Sequence, residues 1–213
     1  MTQKVYVSLT TISERIKSVH DTVSSILSQD YHVDRVTLYI SKEPFIIDKG
    51  IKEIPIELII LADADDRFTI EYVENIGPYR KLIPCLKEHW IEDCLIITVD
   101  DDKIYDHNMI SNMIKQFRLT GEKYIVANRA FVKINKILRQ MCEEVCGVPN
   151  DVCQLISDEI NNKDNAQTIS YLLSNQYDFI RIITFFEGND GVLYHPKFFT
   201  PIVYDWELIL KLA

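Results

Sequence analysis

The chain contains the run Cys94-Leu95-Ile96-Ile97-Thr98-Val99-Asp100-Asp101-Asp102, in which an apolar stretch leads directly into three carboxylates. Uninterrupted apolar character over this length predicts a strand that is buried on both faces, as at the centre of a parallel sheet. Successive side chains of a strand point to opposite faces, so Asp100 and Asp102 are expected on the same side. Two like charges there need a counterion. A hard divalent cation, Mg²⁺ or Mn²⁺, is the expected one because it prefers oxygen ligands.

The elements on either side of this run alternate between strands and helices. The predicted strands are Lys4–Thr10, Arg35–Ile40, Ile56–Leu61, the run that ends at Val99, Lys123–Ala127 and Tyr177–Phe186. The predicted helices extend from a Ser13 cap to Leu27, from Tyr79 to Trp90 and from Asn108 to Leu119. This order predicts an α/β fold with a mainly parallel, Rossmann-like sheet and helices on both faces.

Ligands bind such sheets beyond the carboxyl ends of the strands. Thr10 and Thr11 end the first predicted strand, Asp63 follows the third, and the acid triplet follows the fourth. We therefore expect these residues to meet at one edge. Within the triplet, one of Asp100 and Asp102 is expected to bind the metal and the other to hold a ribose hydroxyl or a metal-bound water. A metal there would bridge a nucleotide diphosphate and assist its departure.

The composition describes an ordinary globular protein of 213 residues with 47% hydrophobic content and a net charge of −9. The acidic balance, without clustered Lys and Arg, argues against a nucleic-acid partner. No apolar stretch is long enough to cross a bilayer, and the start lacks a secretory signal, so a cytoplasmic location is expected. The odd number of cysteines fits a reducing compartment. The group at 142, 146 and 153 has no CxxC pair to indicate zinc.

A second acid cluster, Asp63-Ala64-Asp65-Asp66, also follows an apolar run and also contains a DxD pattern. Arg67 follows it immediately and supplies a counterion from within the segment. This arrangement predicts a self-neutralised loop rather than a metal site.

The segment Gly77-Pro78-Tyr79-Arg80-Lys81 places two cations at the start of a predicted helix. The N–H groups and the dipole of a helix start favour anions, so this segment is a candidate for holding a diphosphate. The alternative is a solvated helix start with ordinary surface cations.

A glycine-flanked loop, Glu187-Gly188-Asn189-Asp190-Gly191, offers Asp190 as a general base for an acceptor hydroxyl. The alternative is a simple turn between strands. His195 is a candidate to complete the coordination of the metal, although a lone histidine before a proline also fits a structural role.

These residues resemble the nucleotide-sugar-dependent glycosyltransferases of the GT-A fold, and among them the small GT-A domains encoded by large algal viruses. The resemblance rests on the Val7–Thr11 strand end followed by Arg15, on Gly77-Pro78 with Lys81, on the acid triplet and on Gly188–Tyr194. It implies one GT-A domain over residues 1–213, with a nucleotide-sugar-binding half at 1–127 and a smaller acceptor-side half at 128–213. Because the apolar ending is typical of a helix cut short, we also expect the chain to be a fragment of a longer protein.

The resemblance also implies roles for single residues. Thr10, Thr11 and Arg15 would lie near the base or ribose, Lys81 near the ribose or diphosphate, Asp100 at the ribose, Asp102 at the metal and Asp190 at the acceptor hydroxyl. Asp101 is counted with the nucleotide-sugar-binding residues.

The expected function is metal-dependent transfer of a hexose or deoxyhexose from a nucleotide-sugar donor, UDP-linked, to a hydroxyl of a carbohydrate acceptor. With Asp190 as base, inversion at the anomeric centre is the simplest mechanism. Two alternatives stay open. A sugar-phosphate nucleotidyltransferase would need a glycine-rich loop after the first strand, where Thr10–Ser13 has no glycine. A non-catalytic module would bind the nucleotide sugar without transferring it.

Overall fold

The computed structural model describes residues 3–128, 130–132, 184–186, 190–205 and 207. The strands of these residues are β1 (Lys4–Thr10), β2 (Arg35–Ile40), β3 (Phe68–Tyr72), β4 (Cys94–Thr98), β5 (Val126–Ala127), β6 (Ala130–Val132), β7 (Thr184–Phe186) and β8 (Val192–Tyr194). The α-helices are α1 (Val19–Leu27), α2 (Ile56–Ala64), α3 (Ile83–Glu88) and α4 (Met109–Leu119). Short 3₁₀ helices occupy Gly77–Lys81, Pro196–Phe198 and Pro201–Tyr204.

Six of the strands form one mixed sheet in the order β3-β2-β1-β4-β8-β5. Strands β1 to β4 are parallel, whereas β8 is antiparallel to both β4 and β5. In the register of the sheet, Val7 of β1 lies between Val36 of β2 and Ile97 of β4. The predicted α/β fold with a Rossmann-like, mainly parallel sheet is therefore confirmed.

Helices cover both faces of this sheet, as predicted. On one face, α1, α2 and α4 pack against the alternate strand residues that include Val7, Leu38 and Ile97. On the other face, Cys85 and Leu86 of α3 pack against Tyr6 and Ile96. The run Cys94–Thr98 is buried along its whole length, as expected for a strand with helices on both sides.

The predicted third strand, Ile56–Leu61, is wrong: these residues begin helix α2, and the strand that follows is β3. Pro55 sits at the N-cap, where its fixed φ of −55° and missing N–H suit a helix start. The helix is apolar on all sides, so its sequence has no helical period to separate it from a strand. Asp63 therefore lies within a helix and not at the carboxyl edge of the sheet.

The other predicted elements differ mainly at their ends. The helix predicted from Ser13 begins at Val19, and the Ser13 hydroxyl instead accepts the Lys49 N–H and donates to Glu14. The helix predicted over 79–90 is divided into the Gly77–Lys81 3₁₀ turn and α3. The helix predicted over Asn108–Leu119 is confirmed as α4, and the strand predicted over Lys123–Ala127 is confirmed in shorter form as β5. The predicted strand Tyr177–Phe186 is described only at Thr184–Phe186, which form β7, and its other residues lie outside the described residues.

Contacts divide the chain into two units, Met1–Asn128 with Gly188–Ala213, and Arg129–Glu187. The first contains the six-stranded sheet, and the described part of the second is the antiparallel pair β6–β7. The functional division at residue 128 stays a prediction. Within the described residues, no helix has the length and apolar character needed to cross a membrane.

Candidate functional site

The strand order creates a crevice between the carboxyl ends of β1 and β4. From β1 the chain builds outward to β2 and β3, and it then returns to place β4 on the other side of β1. Connections on opposite sides of the sheet diverge at such a switch point and leave a cleft that α/β proteins use for ligands. A cavity of about 250 Å³ occupies this position. Its walls come from the end of β1, the loop Phe45–Asp48, the turn Gly77–Lys81 and the acids after β4.

Most of the predicted donor-site residues meet in this crevice. Its lining includes Thr10, Thr11, Arg15, Lys81, Asp100 and Asp101. The ordinary geometry of parallel strands is the cause, since β1 and β4 are neighbours whose carboxyl ends lie side by side. The Thr10 hydroxyl itself donates to the Tyr39 carbonyl at 2.7 Å, so it ties β1 to β2.

The first two acids of the triplet are held by cations from distant segments. Lys81 Nζ lies 2.6 Å from Asp100 Oδ1. Asp101 is 3% exposed, and its Oδ2 accepts from the Thr11 hydroxyl at 2.5 Å and from Arg15 Nε at 2.9 Å. Burial alone would lower the pKa of Arg15, but the bond to Asp101 and the charges of the triplet raise it, so this side chain stays a cation.

The third acid, Asp102, is the most accessible of the three. Its side chain is 51% exposed, and Arg15 Nη1 lies 3.9 Å from its carboxylate. Among the described residues, no three His, Cys, Asp or Glu side chains lie close enough together to hold an ion by themselves. Mg²⁺ at phosphate sites takes only one or two carboxylates and obtains its other ligands from phosphate and water. The exposed carboxylate of Asp102 can serve as one of these protein ligands.

A buried ion pair that the sequence does not predict forms another wall of the crevice. Arg80 Nη2 lies 2.9 Å from Asp48 Oδ2, and the two side chains are 1% and 3% exposed. Asp48 Oδ1 also accepts the N–H groups of Ser13 and Gly50, each at 3.0 Å. Although burial opposes it, these N–H groups and Arg80 lower the pKa of Asp48. The ion pair therefore joins three loops of the crevice into one unit.

One nitrogen of the Arg80 guanidinium differs from the other two. Its Nη2 also donates to the Thr11 carbonyl at 3.1 Å, and its Nε donates to the Gly77 carbonyl at 3.2 Å. Nη1 is buried and has no hydrogen-bond partner within the described part of the chain. A buried guanidinium N–H without a partner is costly, and it becomes favourable when a ligand supplies an acceptor. Because Nη1 has no exposed surface, the observed role of Arg80 is to hold the walls of the crevice together.

Asp190 reaches the same edge of the sheet because β8 is antiparallel to β4. Val192 pairs with Thr98, so the residues before Val192 emerge where the acid triplet begins. The Asp190 carboxylate forms an ion pair with Lys103, the residue directly after the triplet, and both side chains are 32% exposed. The Asn128 amide donates to the Asp190 carbonyl at 2.8 Å.

The same antiparallel pairing carries His195 away from the acids. Tyr194 pairs with Ile96 in the middle of β4, and β8 runs on toward the amino end of β4, so His195 follows at the opposite edge of the sheet. There its Nε2 lies 2.9 Å from Asp93 Oδ1, and its Nδ1 accepts the Lys197 N–H at 3.1 Å. Both ring nitrogens have partners at that edge. The structure does not bring His195 to the other predicted metal ligands, and we do not retain it among them.

In the second acid cluster, Arg67 neutralises Asp65 from within the segment, as the sequence predicts. Arg67 Nη2 lies 2.6 Å from Asp65 Oδ2, and Arg67 Nε donates to Asp65 Oδ1 at 2.9 Å. Arg67 also donates to the Leu27 carbonyl at 3.0 Å, which ties the end of α2 to α1. The bond from Arg67 is the main cause of a lowered pKa at Asp65.

No protein-family model matches the chain, and a search of curated protein sequences finds no match. Among solved structures, the chain is similar to a fragment of S. aureus TarS: the match has 15% identity and a TM-score of 0.44 and covers 59% of this chain and 35% of that one. The same fragment in complex with UDP matches at 14% identity and a TM-score of 0.43. A 4-diphosphocytidyl-2C-methyl-D-erythritol synthase from Anaerococcus prevotii matches at 15% identity and a TM-score of 0.44, over 62% of this chain and 57% of that one.

These similarities cover part of each fold, and the chain spans 35% of the length of the TarS fragment. Similarity at this level says nothing about function, which depends on the crevice residues themselves. The relationship to viral glycosyltransferases stays a prediction.

Proposed function

We propose that the chain is a metal-dependent glycosyltransferase of the cytoplasm. It transfers a hexose or deoxyhexose from a nucleoside diphosphate, UDP, to a hydroxyl of a carbohydrate acceptor. The observation that carries this proposal is the convergence of Asp100, Asp101, Arg15 and Lys81 on one crevice at the switch point of the sheet, with Asp102 directly after them in the chain. Such a set combines acceptors for a ribose or metal with cations for a diphosphate.

Each part of the donor has a complementary group in this crevice. Thr10 and Thr11, at the end of β1, are the residues that we place near the base or ribose. Asp100 accepts from a ribose hydroxyl, and Lys81, which it now holds at 2.6 Å, turns to the diphosphate. Arg15 also offsets part of the negative charge of the diphosphate. The binding of the donor therefore exchanges the contact between Lys81 and Asp100 for contacts of each residue with the donor.

Asp102 is the residue that would hold Mg²⁺ or Mn²⁺ together with the diphosphate oxygens. Its carboxylate is half exposed and lies farther from a cation than the carboxylates of Asp100 and Asp101 do. The ion, when bound, supplies Lewis-acid neutralisation of the charge that develops on the departing diphosphate.

Asp190 is the residue that receives the acceptor proton. Its carboxylate lies beside Lys103 at the edge of the triplet, so an acceptor hydroxyl between Asp190 and the donor sugar can lose its proton as it attacks the anomeric carbon. The new glycosidic bond forms as the bond to the diphosphate breaks. A single displacement of this kind inverts the anomeric centre.

Thermal-shift screening tests the donor class. We expect UDP and UDP-sugars to raise the melting temperature only when Mn²⁺ or Mg²⁺ is present, since a ligand that binds only the folded state stabilises it. Absence of stabilisation by any nucleotide sugar with metal would contradict the proposal.

A product assay separates the alternatives. A glycosyltransferase releases UDP from a UDP-sugar and an acceptor, whereas a nucleotidyltransferase releases pyrophosphate from a nucleoside triphosphate and a sugar phosphate. A non-catalytic module binds the UDP-sugar and releases nothing. Each outcome leaves only one of the three functions.

A further inference from the structure

The loop between β2 and α2 carries an unusual turn at the crevice. Phe45 and Asp48 exchange two backbone hydrogen bonds, at 2.9 and 3.0 Å, and leave Ile46 and Ile47 at the tip. Ile46 has a φ of +54°, a left-handed conformation that suits Gly or Asn and is strained for a β-branched side chain. The turn therefore holds an isoleucine where its own geometry disfavours one.

The two isoleucines at the tip are also exposed. Ile46 is 66% and Ile47 is 70% exposed, although both line the crevice. Exposed apolar side chains contribute little to folding, and the strain at Ile46 opposes it. Backbone strain and exposed apolar surface coincide here at a binding crevice, which is where strained residues tend to occur.

The base of the turn is fixed on both sides. Asp48 belongs to the buried ion pair with Arg80. The Phe45 ring packs over Gly77, where an added Cβ would lie 3.2 Å from the ring. Gly77 itself has a φ of +61°, so both its conformation and this close contact require glycine. The tip is consequently held at the mouth of the crevice and is not a freely moving loop.

The occupant that fits this apolar tip is a nucleobase. Within the crevice, Phe45, Ile46 and Ile47 supply apolar surface. A base has two flat apolar faces that can pack against such a surface. The diphosphate has no apolar face, and a sugar offers only the C–H groups on one side of its ring.

We infer that Ile46 and Ile47 form an apolar cap over the base of the bound nucleoside diphosphate. This inference rests on the proposed function and adds the residues that recognise the base. The cap acts on the base alone, so its removal weakens nucleotide binding without changing the binding of the phosphates.

Calorimetry with matched ligands and variants tests the cap. In the presence of Mn²⁺, Ile47→Ala is expected to weaken UDP binding by about fivefold, because about half of the lost side chain contacts the base. Inorganic pyrophosphate is expected to bind this variant as it binds the wild-type chain. Ile91→Ala is the control, because Ile91 is 94% exposed and is not part of the crevice lining.

A second variant separates binding from stability. Ile46→Gly relieves the strain at φ +54° and removes the apolar side chain, so UDP affinity is expected to fall while the melting temperature stays at or above that of the wild type. Unchanged UDP affinity in both variants would overturn the inference. Equal weakening of UDP and pyrophosphate would overturn it as well. If the wild-type chain binds no nucleoside diphosphate at all, the proposed function itself fails.

Discussion

Two segments of the chain place carboxylates after an apolar run and end in a cation. Residues 61–67 end in Arg67, and residues 97–103 end in Lys103. In the first segment, Arg67 bonds Asp65, only two residues earlier, with both carboxylate oxygens engaged. Asp65 is therefore neutralised locally, at the end of a helix, by a cation of its own segment.

The second segment is neutralised from a distance. Asp100 is bonded by Lys81 and Asp101 by Arg15, while Lys103 reaches Asp190, 87 residues away in the sequence. The partners of these acids come from several segments that converge at the switch point. An acid that is paired with a cation of its own segment belongs to a local structural contact. Acids whose cations come from distant segments mark a place where the fold brings charged groups together for a ligand.

The largest expected effect of this difference concerns Asp190, the distant partner of the second segment. As the proposed general base, its replacement in Asp190→Asn is expected to lower the transfer rate by about 10² to 10⁴-fold. Donor binding, measured by calorimetry with UDP and Mn²⁺, is expected to persist because Asp190 does not hold the donor. The matched control is Asp66→Asn, which lies in the locally neutralised segment. A wild-type rate in Asp190→Asn would remove Asp190 from the mechanism.

The next largest effect compares the buried and the local arginine. Arg80→Met leaves Asp48 as a buried charge without its cation and is expected to lower the free energy of unfolding by about 3–5 kcal/mol. Arg67→Met removes a partner of an acid near the surface, and about 1 kcal/mol or less is expected. Urea unfolding of the two variants measures both. Equal destabilisation of the two variants would show that burial does not raise the cost of removing the cation from the Asp48–Arg80 pair.

A smaller effect compares the two DxD patterns directly. Asp102→Asn is expected to weaken metal-dependent UDP binding by about 10 to 100-fold, since it removes the proposed protein ligand of the ion. Asp65→Asn changes the corresponding pattern of the first segment and is expected to leave UDP affinity unchanged. Titration of UDP with and without Mn²⁺ measures both variants. If both weaken UDP binding alike, the distinction between the two acid clusters is wrong.

The central part of the fold was accessible from sequence because its signals are local. The apolar run before Asp100 and the alternation of strands and helices predict the sheet, and neighbouring parallel strands bring Thr10 and Asp100 to one edge. Helix α2 is not predicted because its apolar residues lie on all sides, which leaves no helical period to separate it from a strand.

The parts of the site that were missed depend on long-range packing. Asp48 and Arg80 lie 32 residues apart, and each has the sequence context of a surface residue. Only the loop fold buries them together. The direction of β8 likewise decides that Asp190 reaches the acids and that His195 does not, and strand direction has no local signature.

The smallest effect is a pH dependence of stability that belongs to the locally neutralised segment. The bond from Arg67 keeps the pKa of Asp65 below its ordinary value in the folded chain. An acid of this kind contributes stability that is fully present above the unfolded pKa of about 3.9 and is lost as the pH falls through the folded pKa. Asp65→Asn is therefore expected to lower the free energy of unfolding by about 1 kcal/mol or less at neutral pH, and by less at pH 3. Arg67→Met removes the same bond, so the free energy of unfolding of this variant should likewise depend less on pH in the acidic range. Since neither residue lies in the crevice, UDP affinity at neutral pH should not follow these changes, and a parallel loss would show that the two acid segments are coupled after all.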